Sequence, residues 1–184
     1  MRIPPLHQCQ HLLDLMAMPA HIQAHSRMVC DVALLLADGL LSAGLVVNRE
    51  LVQASALLHD ITKPRSFKTG ENHAQTGGAY VSGLGYHEVG EIIRQHVVLD
   101  VYFEAETPSE AEVVNYADKR VLHDRIVPLD DRMNYIMHRY AKTSAQKQRF
   151  MEILDDTLRL EQRIFDHLMF CPEHVADHIR RLSS

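Results

Sequence analysis

Residues Leu51–Lys63 read LVQASALLHDITK. Leu51, Ala54, Leu57 and Leu58 keep helical spacing, which predicts a buried helix opened by Asn48, a good N-cap. The run ends on His59-Asp60. An imidazole and a carboxylate are expensive to place beside a core unless something binds them. A hydrogen bond between the two would be one answer and a metal ion another. The second gains weight from His25 upstream and from His73, His96 and Asp118 downstream, each within or beside its own amphipathic segment.

Outward from this stretch the reading is helical almost throughout. Pro4-Pro5 opens a first helix that stops before Pro19. A second runs from about Ala20 to Leu41, with Ile22, Met28, Val29, Val32, Leu35 and Leu36 inward. After His59-Asp60, ITKPRSFKTGEN (61–72) has the composition of a loop, punctuated by Pro64 and Gly70. Helices are expected from near Asn72 to Leu84 and from about His87 to Val98, and LDVYFEAE (99–106) is read as loop. Thr107-Pro108-Ser109-Glu110 has the form of a capping box with proline at the first helical position, starting the helix that carries Asp118. Pro128 introduces another helix through Tyr140, and from Thr143 onward a helical stripe includes Phe150, Ile153, Thr157 and Ile164. We expect an all-α helical bundle in one domain spanning 1–184, with a core of about 20–140 and a C-terminal helical extension over 141–184. The extension carries no site residues and is expected to pack on the core or on a second subunit, a homodimer.

Composition narrows the function classes. The chain has 184 residues, 46% of them hydrophobic, and a formal net charge of −5. That balance suits an ordinary soluble protein and argues against a nucleic-acid polymer as partner, since no basic face or run is present. The longest apolar run, VALLLADGLLSAGLVV (32–47), is interrupted by Asp38, Gly39 and Gly44, so no membrane span is expected. MRIPPLHQCQH (1–11) has no signal-like apolar stretch, which points to a cytoplasmic protein. Cys9, Cys30 and Cys171 form no CxxC spacing and are expected as buried thiols.

The pattern H…HD…D, with two histidines between HD and the last Asp, resembles the HD superfamily of metal-dependent phosphohydrolases. The matching text is HSRMVCDVA (25–33), ALLHDITK (56–63), ENHAQTGGAYV (71–81), EIIRQHVV (91–98) and VVNYADKRV (113–121). The flanks are most similar to the HDIG-type branch, near the symmetrical diadenosine tetraphosphatases. His96 is followed by Val97, without the paired His-His and GYP triplet of the HD-GYP branch, so cyclic-di-GMP hydrolysis is not expected.

The resemblance implies a first metal held by His25, His59, Asp60 and Asp118, with Asp60 bridging to a second held by His73 and His96. For the last two, substrate contact or a helix-end hydrogen bond is the alternative. One or two divalent ions are expected, drawn from Fe, Mn, Zn, Co, Ni or Mg. A metal ion brings the pKa of bound water from about 15.7 to near 7, and a pair about 3.5–4 Å apart clamps an in-line phosphoryl displacement. The expected activity is hydrolysis of a phosphomonoester or phosphodiester, with a small phosphorylated substrate, a nucleotide by resemblance. Asp60 and Lys63 are the catalytic candidates, and Lys63, Arg65 and Lys68 the candidates for binding substrate phosphate. His21 is read as a neighbour of His25, and His123-Asp124 as structural. Two rival readings are a non-catalytic HD module that senses a nucleotide and an HD-type di-iron oxygenase.

Overall fold

The computed structural model describes residues 1–103 and 105–182. The chain folds as the all-α bundle expected. Its helices are α1 (Leu6–Leu15), α2 (Ala20–Ser42), α3 (Arg49–Leu58), α4 (Lys63–Thr69), α5 (His73–Gly83), α6 (His87–Gln95), α7 (Glu110–Lys119), α8 (Leu129–Tyr140), α9 (Ser144–Phe165) and α10 (Val175–Leu182). A short antiparallel hairpin, β1 (Val121–Leu122) and β2 (Arg125–Ile126), is the sole sheet among the described residues. No described helix is long and apolar enough to cross a membrane.

The centre of the bundle is α2. Val29, Val32, Ala33, Leu36, Ala37 and Leu40 recur at helical spacing and are fully buried against α3 and α7. This face is continuous because the helix runs past Asp38 and Gly39 to Ser42. α3 lies against α2, α6 and α7, so its C-terminal end, with His59-Asp60, opens into the middle of the molecule. Asn48 caps α3 by accepting from the Leu51 amide.

Four local expectations are corrected. Residues 63–69 form helix α4 rather than loop, because Pro64 sits in the first turn, where its missing N–H is not needed. Gly70 ends that helix in the left-handed region at φ 73°, a position glycine fills without strain. Second, the capping box of α7 is Ser109 with Glu112, two residues beyond Thr107-Glu110. Glu112 also accepts from the Phe103 amide and so ties down the preceding segment, which Glu110 does not do. Third, helix α6 stops at Gln95, with His96 as its cap. Fourth, the extended hairpin at 121–126 was not foreseen. The segment 99–106 is irregular where described, and Glu104 lies outside the described residues.

From 141 onward the chain folds back on the bundle. Ile153, Thr157, Leu160 and Ile164 of α9 are buried, and α9 packs on α7 and α8 while α10 packs on α2. Arg120 fixes this arrangement, donating to Tyr116 Oη, Glu161 and the carbonyls of Val127 and Pro172.

The cysteines divide into two classes. Cys9 and Cys30 are buried as expected, and burial pushes their thiols up to about 11 and about 12. Cys171 is exposed, because it lies in the turn ahead of the 3-10 segment Pro172–His174, outside the core. Since the thiolate is the reactive form, a thiol reagent should modify Cys171 quickly and the other two only as fast as the protein unfolds. Timed mass spectrometry of the native protein would check this; rapid modification of Cys9 or Cys30 would contradict it.

Candidate metal centre

Helix ends build the centre. The last carbonyls of a helix have no partner within it. At α3, His59 Nδ1 donates to the Ala56 carbonyl at 2.7 Å, three residues back. His96 repeats the device at the end of α6, its Nδ1 donating to the Ile93 carbonyl at 2.7 Å. His25, inside α2, reaches instead to the carbonyl of His123 at 2.7 Å. His123 holds a left-handed φ of 59° in the turn between β1 and β2, a region where histidine is enriched among non-glycine residues. With Nδ1 engaged in each ring, Nε2 is the nitrogen left to face the site, as in metal-binding histidines whose other ring nitrogen is hydrogen-bonded.

These Nε2 atoms converge on Asp60. Its Oδ2 lies 3.4 Å from His59 Nε2 and 4.0 Å from His25 Nε2. Its Oδ1 lies 3.3 Å from His73 Nε2 and 3.6 Å from His96 Nε2. The two oxygens of one carboxylate thus face two different pairs of imidazoles. Asp118 Oδ1 closes the first group, 3.0 Å from His25 Nε2 and 3.7 Å from His59 Nε2. In the second group His73 and His96 meet Nε2 to Nε2 at 3.2 Å.

Packing between helices fixes the second group. Thr62, in the turn after Asp60, donates to the His73 carbonyl, while Asn72 caps α5 at the Ala74 and Gln75 amides. Buried Asn115 donates to the carbonyls of Gln95 and His96, latching the end of α6 onto α7, the helix that carries Asp118. Lys119 completes the latch on Asn115 and the Val97 carbonyl. Burial pushes its amine down to about 8.

The donor set suits a divalent cation. Nε2 of His59 and Oδ1 of Asp60 are buried and have no hydrogen-bond partner among the described residues. Leaving such an atom unsatisfied costs about 1–3 kcal/mol, so each of the two calls for a ligand. Two sets, His25 with His59 and Asp118, and His59 with Asp60 and His96, bring ligand atoms within 4.8 Å of one another. Imidazole and carboxylate together favour first-row ions.

The electrostatics of these groups are strongly interdependent. Burial alone would raise the Asp60 carboxyl, but His59, Lys63 and His73 beside it hold it well below the usual range. Asp118 is likewise held low against burial by His25, Arg132 and His59. For His59 the neighbouring Asp60 and Asp118 outweigh burial and raise the imidazole. Burial, reinforced by His59, pushes His96 down to about 3, which keeps it neutral and free to donate a lone pair.

The comparisons with known proteins fall on the same segment. Residues 22–121, more than half of the chain, match the HD domain family. The chain belongs to the HD domain family. Among solved structures it is similar to a predicted HD superfamily hydrolase from an uncultured Thermotogales bacterium. The two share 21% identity and a TM-score of 0.51 over 90% of this chain and 94% of that one, a likeness of fold. No curated protein matches.

A cleft of about 230 Å³ opens onto the first group of this HD domain, reaching His25 and Asp60. His21, Lys63, Phe67 and His123 form part of its wall, and Arg132, Tyr135, Arg139 and Tyr140 of α8 form another. Lys63 lies in this wall and is paired with Asp60, its Nζ 2.6 Å from Asp60 Oδ2. Asp60 outweighs burial and raises that amine, so it stays charged. Arg65 and Lys68 are not brought there: Arg65 is paired with Glu71 at the surface, and Lys68 is exposed at the end of α4. Their move away follows from α4 being a helix, which turns those side chains outward. Arg132, Tyr135, Arg139 and Tyr140 were missed. Their shared face on α8 was a visible signal, yet nothing local ties that helix to residues more than seventy positions upstream.

Proposed function

We propose that this HD domain is a metal-dependent phosphohydrolase that cleaves a phosphomonoester or phosphodiester bond. The observation that carries this reading is Asp60, whose two oxygens face two histidine pairs at the floor of a cleft. His25, His59, Asp60 and Asp118 would hold one divalent ion, and Asp60, His73 and His96 a second. Such ions would supply a water ionised near neutral pH and charge compensation for the phosphoryl oxygens. Lys63 keeps Asp60 ionised and oriented by its 2.6 Å contact. The backbone carbonyls of Ala56, Ile93 and His123 keep three imidazoles aimed inward, so the site is preorganised before substrate arrives. Burial of His59, Asp60 and His96 excludes bulk water and strengthens each of these interactions.

A nucleotide is the proposed substrate. The aromatic residues Phe67, Tyr135 and Tyr140 at the cleft support that choice, since a nucleobase stacks on such rings. Assay of the purified protein with Mn, Fe, Co, Ni, Zn or Mg against nucleotides and simple phosphoesters tests the reading. Metal-dependent release of phosphate or of a nucleoside phosphate is the expected result. A metal-replete protein that turns over none of them would support a nucleotide-sensing module instead. Oxygen consumption with an iron-loaded protein would support the di-iron oxygenase.

A further inference from the structure

Resting on the phosphohydrolase reading, we propose that α8 is the substrate-reading helix of this chain and that Arg132 binds the reacting phosphoryl group. Leu129 and Met133 bury one side of α8. Arg132, Tyr135 and Arg139 follow at i, i+3 and i+7, a spacing that lines up on one helical face, and all three line the cleft over His25 and Asp60. The helix lies beyond the matched residues 22–121, so its contribution is additional to the matched HD core.

Among the cleft's cations, Arg132 has donors to spare. Lys63 is committed to Asp60 at 2.6 Å. Arg139 is exposed at the mouth, donating to Tyr135 Oη. Arg132 is largely buried, its side chain 12% exposed, and its Nη2 stands 3.7 Å from Asp118 Oδ1, beyond hydrogen-bond range. Its Nε is buried with no hydrogen-bond partner among the described residues. A guanidinium presents five N–H donors in a rigid fork that matches phosphate oxygens bidentately. Beside the Asp60–Asp118 cluster, such a fork is positioned for a doubly charged tetrahedral anion that also reaches the ions these side chains would hold.

The test uses the full chain, metal-loaded, with inorganic phosphate as the probe, titrated calorimetrically and as an inhibitor of phosphoester turnover. Arg132→Gln should weaken phosphate binding at least about tenfold and raise KM more than it lowers kcat, with metal content and melting temperature unchanged. Arg132→Lys should recover part of the affinity, because a point charge replaces the fork. Unchanged phosphate affinity in both variants would overturn the proposal. So would loss of bound metal in both, which would make Arg132 a support for Asp118. Phosphate binding through Arg132 in a protein that cleaves no phosphoester would overturn the hydrolase reading and leave Arg132 standing as a phosphate-binding residue only.

Discussion

Replacing Asp60 with Ala is expected to strip the protein of bound metal and to lower phosphoester hydrolysis at least about a thousandfold, or about 4 kcal/mol of transition-state stabilisation. The effect is large because one side chain serves both histidine pairs, Oδ2 toward His25 and His59 and Oδ1 toward His73 and His96. Truncation removes both oxygens and leaves Lys63 without its carboxylate partner. Asp60→Asn should recover little, since an amide turns an NH₂ toward one of the two groups and carries no charge. Metal quantification and turnover measured on the same preparation check the prediction. Retained metal-dependent hydrolysis in Asp60→Ala would contradict it.

The second large effect is expected at a distance from any ligand atom. His73 opens α5 and His96 caps α6, and these two helices pack together more extensively than any other pair of described elements. They approach through Gly78 and Gly90. A Cβ at Gly78 would lie 2.6 Å from the Gly90 carbonyl oxygen, and one at Gly90 would lie 2.5 Å from that of Gly78 and would clash with Ser82 Oγ. Backbone oxygens cannot move aside as a flexible side chain can. Gly78→Ala or Gly90→Ala must therefore push the helices apart, at about 1–3 kcal/mol for overpacking, or several degrees of melting temperature in a chain of this size. The same displacement separates His73 from His96, now 3.2 Å apart. The variants should keep the ion at His25, His59 and Asp118, lose the one at His73 and His96, and lose at least about tenfold in kcat, because two-metal clamping needs both ions. Unchanged metal content with unchanged activity would show that the glycine contact does not set the second group.

How much of this could be read from the chain follows from how local each cause is. Of the candidate ligands, His59-Asp60 were the most legible, because an apolar helical run stops on them, whereas the apolar residues after His96 hid the helix end that His96 caps. The two readings of His96 proved compatible, since Nδ1 makes the helix-end hydrogen bond and Nε2 remains for the site. The α7 start was ambiguous because Thr107-Glu110 and Ser109-Glu112 satisfy the same spacing, and the distant Phe103 amide favours the second. Residues 63–69 were misread because proline and glycine punctuate a short helix as well as a loop. The approach of α8 to the cleft depends on packing against α7 and α9, a long-range effect that no local spacing encodes.

Anaerobic metal analysis of the purified protein, repeated on His96→Ala, tests the central claim most directly. A bridging Asp60 predicts about two divalent ions per chain, falling to about one in the variant. A count near one that His96→Ala leaves unchanged would contradict a second ion between Asp60, His73 and His96.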